Sequence, residues 1–202
     1  MLNVPNIFTI IRIILSPICF IFLVSGNSIL IQIGCIIYLI AASTDYIDGW
    51  IARKFKAFSK MGSFIDPLAD KILTTSIFLS LVILKILPLW MVLIVIIRDF
   101  STTFLRVQAD KNNRVMKTSL TAKWKTFLQM VFISYLIVLV FLLNMNISAE
   151  SNSHIVSLLN SNSVEIVMFI LTMFSIWTII EYLIHNKDLI KIIFRLQSEN
   201  KQ

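Results

Sequence analysis

The chain has 202 residues, 57% of them hydrophobic and only 14% charged, with a mean hydropathy of +0.86. Water-soluble domains carry about 25% charged residues, so these figures exclude an ordinary soluble enzyme and point to an integral membrane protein. The net charge of +7 is spread over loops and helix ends, which suits an anionic membrane face and argues against a nucleic-acid partner.

Only four Gly and four Pro are present, so there is little room for turns, and the spans read as helices rather than barrel strands. A helix needs about 20 mostly apolar residues to cross a bilayer. Six stretches meet that measure: 6–25, 28–52, 63–87, 89–108, 119–143 and 164–184. The expectation is an all-α polytopic membrane protein with six transmembrane helices, forming a single domain over residues 1–202. A short amphipathic tail helix is expected around 187–197. The first apolar stretch has neither a basic leader nor a small-residue cleavage site, so it is expected to remain as a helix. Cys19 and Cys35 fall inside apolar runs and read as packing residues, while His154 and His185 are too isolated to suggest zinc.

Lys and Arg in the short loops set the orientation. One side holds Arg53, Lys54, Lys56, Lys60, Lys111, Arg114, Lys117, Lys187, Lys191, Arg195 and Lys201, and the other only Lys85. Both termini and the 53–60 loop are therefore expected in the cytoplasm. The Asn- and Ser-rich segment 144–163 is expected outside.

Arg12 lies in the first helix, where a charge is costly and demands a function. The richest segment follows at 43–72, "STDYIDGWIARKFKAFSKMGSFIDPLADKI". Asp45, Asp48, Gly49 and Ala52 fall at i, i+3, i+4 and i+7 on one stripe of the second helix, while Asp66 and Asp70 share a face of the third. If the helix proper starts near Ile65, Pro67 falls in its first turn, where backbone N–H groups lack partners anyway. The basic loop between the two helices returns the chain antiparallel, so four carboxylates should converge just below the cytoplasmic surface.

Four carboxylates at that depth cannot all stay charged without compensation. All-oxygen ligation suits Mg²⁺ or Mn²⁺, and two such ions would clamp a diphosphate during phosphoryl displacement. Gly49, Ala52 and Gly62 lack bulk and would let a nucleotide lie against the helix backbones. The plainer reading is an acidic, solvated helix end, and the spacing argues against it.

Further along, Arg98, Thr102 and Arg106 lie at i, i+4 and i+8 on the fourth helix, and Lys117, Lys123 and Lys125 cluster across the next loop. Together these cations could bind an anionic acceptor. The rival is a structural Arg98–Asp99 pair, with the other cations at lipid headgroups.

The stretch D-x2-D-G-x2-A-R-x8-G-x3-D-x3-D, from Asp45 to Asp70, resembles the signature of the CDP-alcohol phosphatidyltransferase family. That resemblance implies displacement of CMP from a CDP-linked lipid by an alcohol, using two divalent metals. It implies Asp45, Asp48 and Asp66 as metal ligands, and Asp70 at the same metal site as the general base on the acceptor hydroxyl. It places Arg53 near the diphosphate and Asn3, Pro5, Thr9 and Arg12 near the cytidine, although Asn3 and Thr9 serve equally well as helix caps.

"NVPNIFTIIRI", "DPLADK", "IIRDF", "KWKTFLQ" and "IEYLIHNKDL" are similar to the branch of this family whose acceptor is a phosphorylated glycerol. Asp99 stands where that branch more often has Glu, and Ala122 where Gly is usual. The implied substrates are CDP-diacylglycerol and sn-glycerol 3-phosphate. Inositol phosphate, serine and phosphatidylglycerol remain open as acceptors. The resemblance also implies a homodimer in the cell membrane, with the active site facing the cytoplasm. A cation transporter is the rival of another class, and the outer halves of the spans lack the polar path it would need.

Overall fold

The computed structural model describes the backbone of residues 4–55, 62–111, 116, 119–145 and 148–187, and the side chains of 10–43, 68–110, 116, 119–145 and 148–187. Seven helices form, and no strand among the described residues: α1 (Val4–Val24), α2 (Ser28–Phe55), α3 (Gly62–Ile83), α4 (Leu89–Lys111), α5 (Leu120–Asn144), α6 (Ala149–Leu159) and α7 (Asn162–His185). Six of them, α1–α5 and α7, coincide with the six expected spans. All but the first residue of the expected tail helix at 187–197 lies outside the described residues.

The helices are joined by tight, capped turns. Gly26 adopts a left-handed φ of 70° between α1 and α2, a conformation that costs a side-chain-bearing residue more than glycine. Asn27 then caps α2 by accepting the Ile29 N–H at 2.9 Å. α1 and α2 approach closely where Gly34 faces α1, since a Cβ there would meet the Phe22 Cβ at 3.1 Å. The Cys19 thiol donates to the Gly34 carbonyl across that seam.

α3 stops four residues before the expected end at 87, and the cause is a Schellman closure. Lys85 takes φ 59°, its N–H bonds to Val82 O, and the Ile86 N–H reaches back to Leu81 O. α6 is an addition to the expected architecture. Ser148 caps it by accepting the Ser151 N–H, and Ile155 and Leu159 tie it into the core.

Pairwise packing closes the six long helices into a ring in the order α1, α3, α4, α7, α5, α2, back to α1, with α6 lying on α5 and α7. Among the described residues, α2 and α3 each pack chiefly on α1. The centre is filled by Leu23, Ile77, Phe78, Leu81, Val92, Leu136, Ile137 and Met168. The outer surface is equally apolar: Ile21, Ile97, Ile170 and Trp177 are all more than half exposed. A ring with apolar residues on both faces is built for lipid rather than water.

By length and composition, two described stretches are long and apolar enough to cross a membrane, Leu120–Asn144 and Ala149–His185. Ile10–Val24 and Ser28–Ser43 are shorter apolar helices. α4 falls short of the measure because its second half carries Arg98, Asp99, Arg106 and Asp110.

Candidate active site

Polar side chains inside the ring gather between α4, α5 and α7. Arg98, Asp99, Thr102, Lys125, Gln129, Ser175 and Thr178 are all buried. Desolvated charges demand partners, and each of the charged members has them. The Asp99 carboxylate is the hub: Oδ1 accepts from Arg98 Nη1 at 3.0 Å and from Lys125 Nζ at 2.7 Å, and Oδ2 accepts from Gln129 Nε2 at 3.3 Å. Arg98 Nε donates to Thr178 Oγ1 at 3.0 Å, which ties α4 to α7. Lys125 also donates to Gln129 Oε1, one turn along α5.

Beside this hub opens a cavity of about 470 Å³, walled by Asp70 and Lys71 of α3, Arg98, Thr102, Thr103 and Arg106 of α4, Lys123 and Thr126 of α5, and Tyr182 of α7. Lys71 Nζ lies 3.4 Å from Asp70 Oδ2 and 3.7 Å from Asp99 Oδ2. Arg106 and Tyr182 share this wall, and the Tyr182 hydroxyl donates to Met116 Sδ at 2.8 Å. At the start of α5, Ser119 caps the helix and contacts Thr121, and Thr121 donates to Glu181 of α7. These contacts fix the turn of α5 that presents Lys123 to the cavity. Phe127 lines the cavity and also an apolar notch shared with Leu120, Lys123 and Trp124 on the outer face of α5. The cavity therefore adjoins an exposed apolar surface.

Arg12 is buried in α1, and the other residues singled out as candidate ligands fall into three groups. Asp70, Arg98, Arg106 and Lys123, expected as the base and as acceptor-binding cations, line one cavity. Lys125, grouped with them in the sequence, lies apart from the cavity lining. Its side chain is 0% exposed and its ammonium is spent on Asp99 and Gln129, because α5 turns it inward where Lys123 faces the cavity. The Arg98–Asp99 pair of the rival reading is present, and Arg98 lines the cavity as well.

The third group lies outside the described residues or side chains. It comprises Asn3 and Lys117, and the side chains of Pro5, Thr9, Asp45, Asp48, Gly49, Ala52, Arg53, Gly62 and Asp66. Their backbone positions are known where a helix carries them: Asp45, Asp48, Gly49, Ala52 and Arg53 on the C-terminal half of α2, Gly62 and Asp66 at the start of α3. Among the described residues no group of three His, Cys, Asp or Glu side chains is placed to hold a metal.

Sequence reasoning passed over Lys71, Thr103, Thr126 and Tyr182. Lys71 was legible as the neighbour of Asp70, and Thr126 as one turn beyond Ala122 and Lys123. Tyr182 stands within the quoted stretch IEYLIHNKDL, but that it reaches the cavity follows from the packing of α7 on α4.

A family model described as CDP-alcohol phosphatidyltransferase matches residues 2–178. A CDP-diacylglycerol–glycerol-3-phosphate 3-phosphatidyltransferase of Bacillus subtilis is 36% identical over 149 residues, covering 68% of this chain and 77% of the relative. The protein of the same name from Rickettsia typhi is 34% identical over 137 residues, with the same two shares, 68% and 77%. A probable phosphatidylglycerophosphate synthase of Mycobacterium tuberculosis is 33% identical over 134 residues, covering 65% of this chain and 64% of the relative. The aspartate signature and a match that spans most of the sequence agree, and the chain belongs to the CDP-alcohol phosphatidyltransferase family.

Proposed function

We propose that this chain transfers the phosphatidyl group of CDP-diacylglycerol to sn-glycerol 3-phosphate, giving phosphatidylglycerophosphate and CMP in phospholipid biosynthesis. The observation that carries the reading is the cavity in which Asp70 shares a wall with Arg98, Arg106 and Lys123. It pairs a proton acceptor with cations, as an alcohol bearing a phosphate requires. The relatives from Bacillus and Rickettsia are named for the same donor and acceptor.

Asp45, Asp48, Asp66 and Asp70 would hold two Mg²⁺ or Mn²⁺ ions. The donor set fits, being all carboxylate oxygen, with pairs one turn apart on α2 and on α3. When bound, the ions supply the positive charge that clamps the diphosphate. Asn3, Pro5, Thr9, Gly49, Ala52, Arg53 and Gly62 would seat the CDP end of the lipid. Arg98, Arg106 and Lys123 would hold the acceptor's phosphate, with Lys117 beside them, and Asp70 would take the proton of its hydroxyl. The freed oxygen then bonds to the phosphatidyl phosphorus, and the bond from that phosphorus to CMP breaks.

The chain would act as one domain, a homodimer in the cell membrane with six spans and both termini in the cytoplasm. The lining residues support that orientation. They come from the start of α3, the second half of α4, the start of α5 and the end of α7, the same ends that border the Lys- and Arg-rich loops.

The test is CMP release by the purified protein from CDP-diacylglycerol with a panel of alcohols. sn-Glycerol 3-phosphate should be the preferred acceptor. Preference for inositol phosphate, serine or phosphatidylglycerol would reassign the acceptor, and absence of CMP release with every alcohol would end the reading.

A further inference from the structure

Lys71 follows Asp70 on α3 and lines the same cavity as Arg98, Arg106 and Lys123. Its ammonium lies between two carboxylates, at 3.4 Å from Asp70 Oδ2 and 3.7 Å from Asp99 Oδ2. A settled charge-assisted bond runs about 2.7–2.9 Å, so neither contact is tight. Asp99 already has closer partners in Lys125 at 2.7 Å and Arg98 at 3.0 Å. The Lys71 side chain is nevertheless only 13% exposed, so water screens its charge poorly. It is a loosely held cation between the proposed base and the buried hub. A phosphate monoester arriving in the cavity brings about −1.5 to −2 charges and three acceptor oxygens against the single charge of Asp70.

We propose that Lys71 is an acceptor-sensing latch on Asp70: it pairs with the Asp70 carboxylate while the cavity lacks a phosphate, and an acceptor's phosphate draws it away and frees that carboxylate for the acceptor's hydroxyl. The inference rests on the role given to Asp70 above. Its consequence is discrimination against water. In the side reaction, a water oxygen bonds to the phosphatidyl phosphorus and the bond to CMP breaks, with CMP taking the electron pair. The water's proton passes to Asp70, and the products are phosphatidate and CMP. Water brings no phosphate, so Lys71 stays on Asp70 and this reaction is slow. The true acceptor carries its own key.

The wild-type protein tests this directly. With CDP-diacylglycerol and Mg²⁺ but no alcohol, adding inorganic phosphate should raise phosphatidate formation by roughly threefold or more, as the anion competes for the ammonium. Unchanged or lowered formation would overturn the latch. Lys71→Met removes the charge at similar length. Without phosphate it should form phosphatidate about threefold faster than wild type or more, matching the rise that phosphate brings to the wild type. The variant should no longer respond to phosphate, and with sn-glycerol 3-phosphate present its ratio of phosphatidate to phosphatidylglycerophosphate should rise. Lys71→Arg should restore the wild-type ratio. A folded Lys71→Met protein with the wild-type ratio would also overturn the latch, and if that variant does not fold, the phosphate titration decides alone. Asp70→Asn separates the two claims. Loss of both reactions in Asp70→Asn together with an unresponsive wild type rejects the latch and keeps the base, whereas undiminished reactions in Asp70→Asn reject the base and the latch with it.

Discussion

Asp70 and Arg106 stand on different helices and face one cavity, and each has a measurable signature. If Asp70 is the base, Asp70→Asn should keep its affinity for CDP-diacylglycerol while turnover falls by about 10²-fold or more. Turnover near the wild-type rate would remove the role. Arg106 has Tyr182 beside it and no carboxylate among its described contacts, so its charge is available to a ligand. Arg106→Ala should raise the KM for sn-glycerol 3-phosphate about tenfold, because one charge-assisted bond is worth ~1.5–3 kcal/mol. The KM for CDP-diacylglycerol should hold, and glycerol should be a poor acceptor for both proteins. Equal losses toward both alcohols would make Arg106 a support of the fold. Asp99 illustrates the opposite case, a buried carboxylate hydrogen-bonded by Arg98, Lys125 and Gln129. Its neighbour Arg98 was legible as costly and hence important, but the division of labour between Lys123 and Lys125 was not. Two residues apart on a helix, they point about 200° apart, and only the packing of α5 says which one is inside.

Among the elements, the end of α3 carries a residue at odds with its backbone. The Schellman closure puts Lys85 at φ 59°, where glycine is the common occupant. A left-handed conformation costs a residue with a Cβ about 1–2 kcal/mol, part of which glycine loses again to chain entropy. Lys85→Gly should therefore raise stability by roughly 0.5–1 kcal/mol, measured by thermal or denaturant unfolding in detergent. A lower stability would mean that the Lys85 side chain contributes more than its backbone costs. α6 shows where pattern reading stops. AESNSHIVSLL is too short and polar to register as a span, yet Ser148 caps it, and Ile155 and Leu159 find apolar partners on the ring.

At the level of the whole molecule, the ring fixes which charged ends meet. Asp70, near the start of α3, reaches the cations of α4 and α5 because α3 packs on α4, and α4 and α5 are bridged by α7. The carboxylates of α2 and α3 give the proposed catalyst its dependence on metal. EDTA should abolish CMP release, and Mg²⁺ or Mn²⁺ should restore it; full activity in metal-free buffer would reject the metal site.

Composition and spacing were enough for the helical architecture and the approximate extent of the long helices, and the family resemblance carried by the aspartate signature implied the phosphatidyl-transfer chemistry. Apolar runs of span length and a carboxylate signature at fixed intervals are local features of a chain. The enclosure of Lys125, the bridge from Arg98 to Thr178, the arrival of Tyr182 and the position of Lys71 between Asp70 and Asp99 are of another kind. Each depends on which helix lies against which. Helices with apolar residues on both faces have no single stripe to announce their neighbours, so close packing and the need to pair buried charges settle the arrangement.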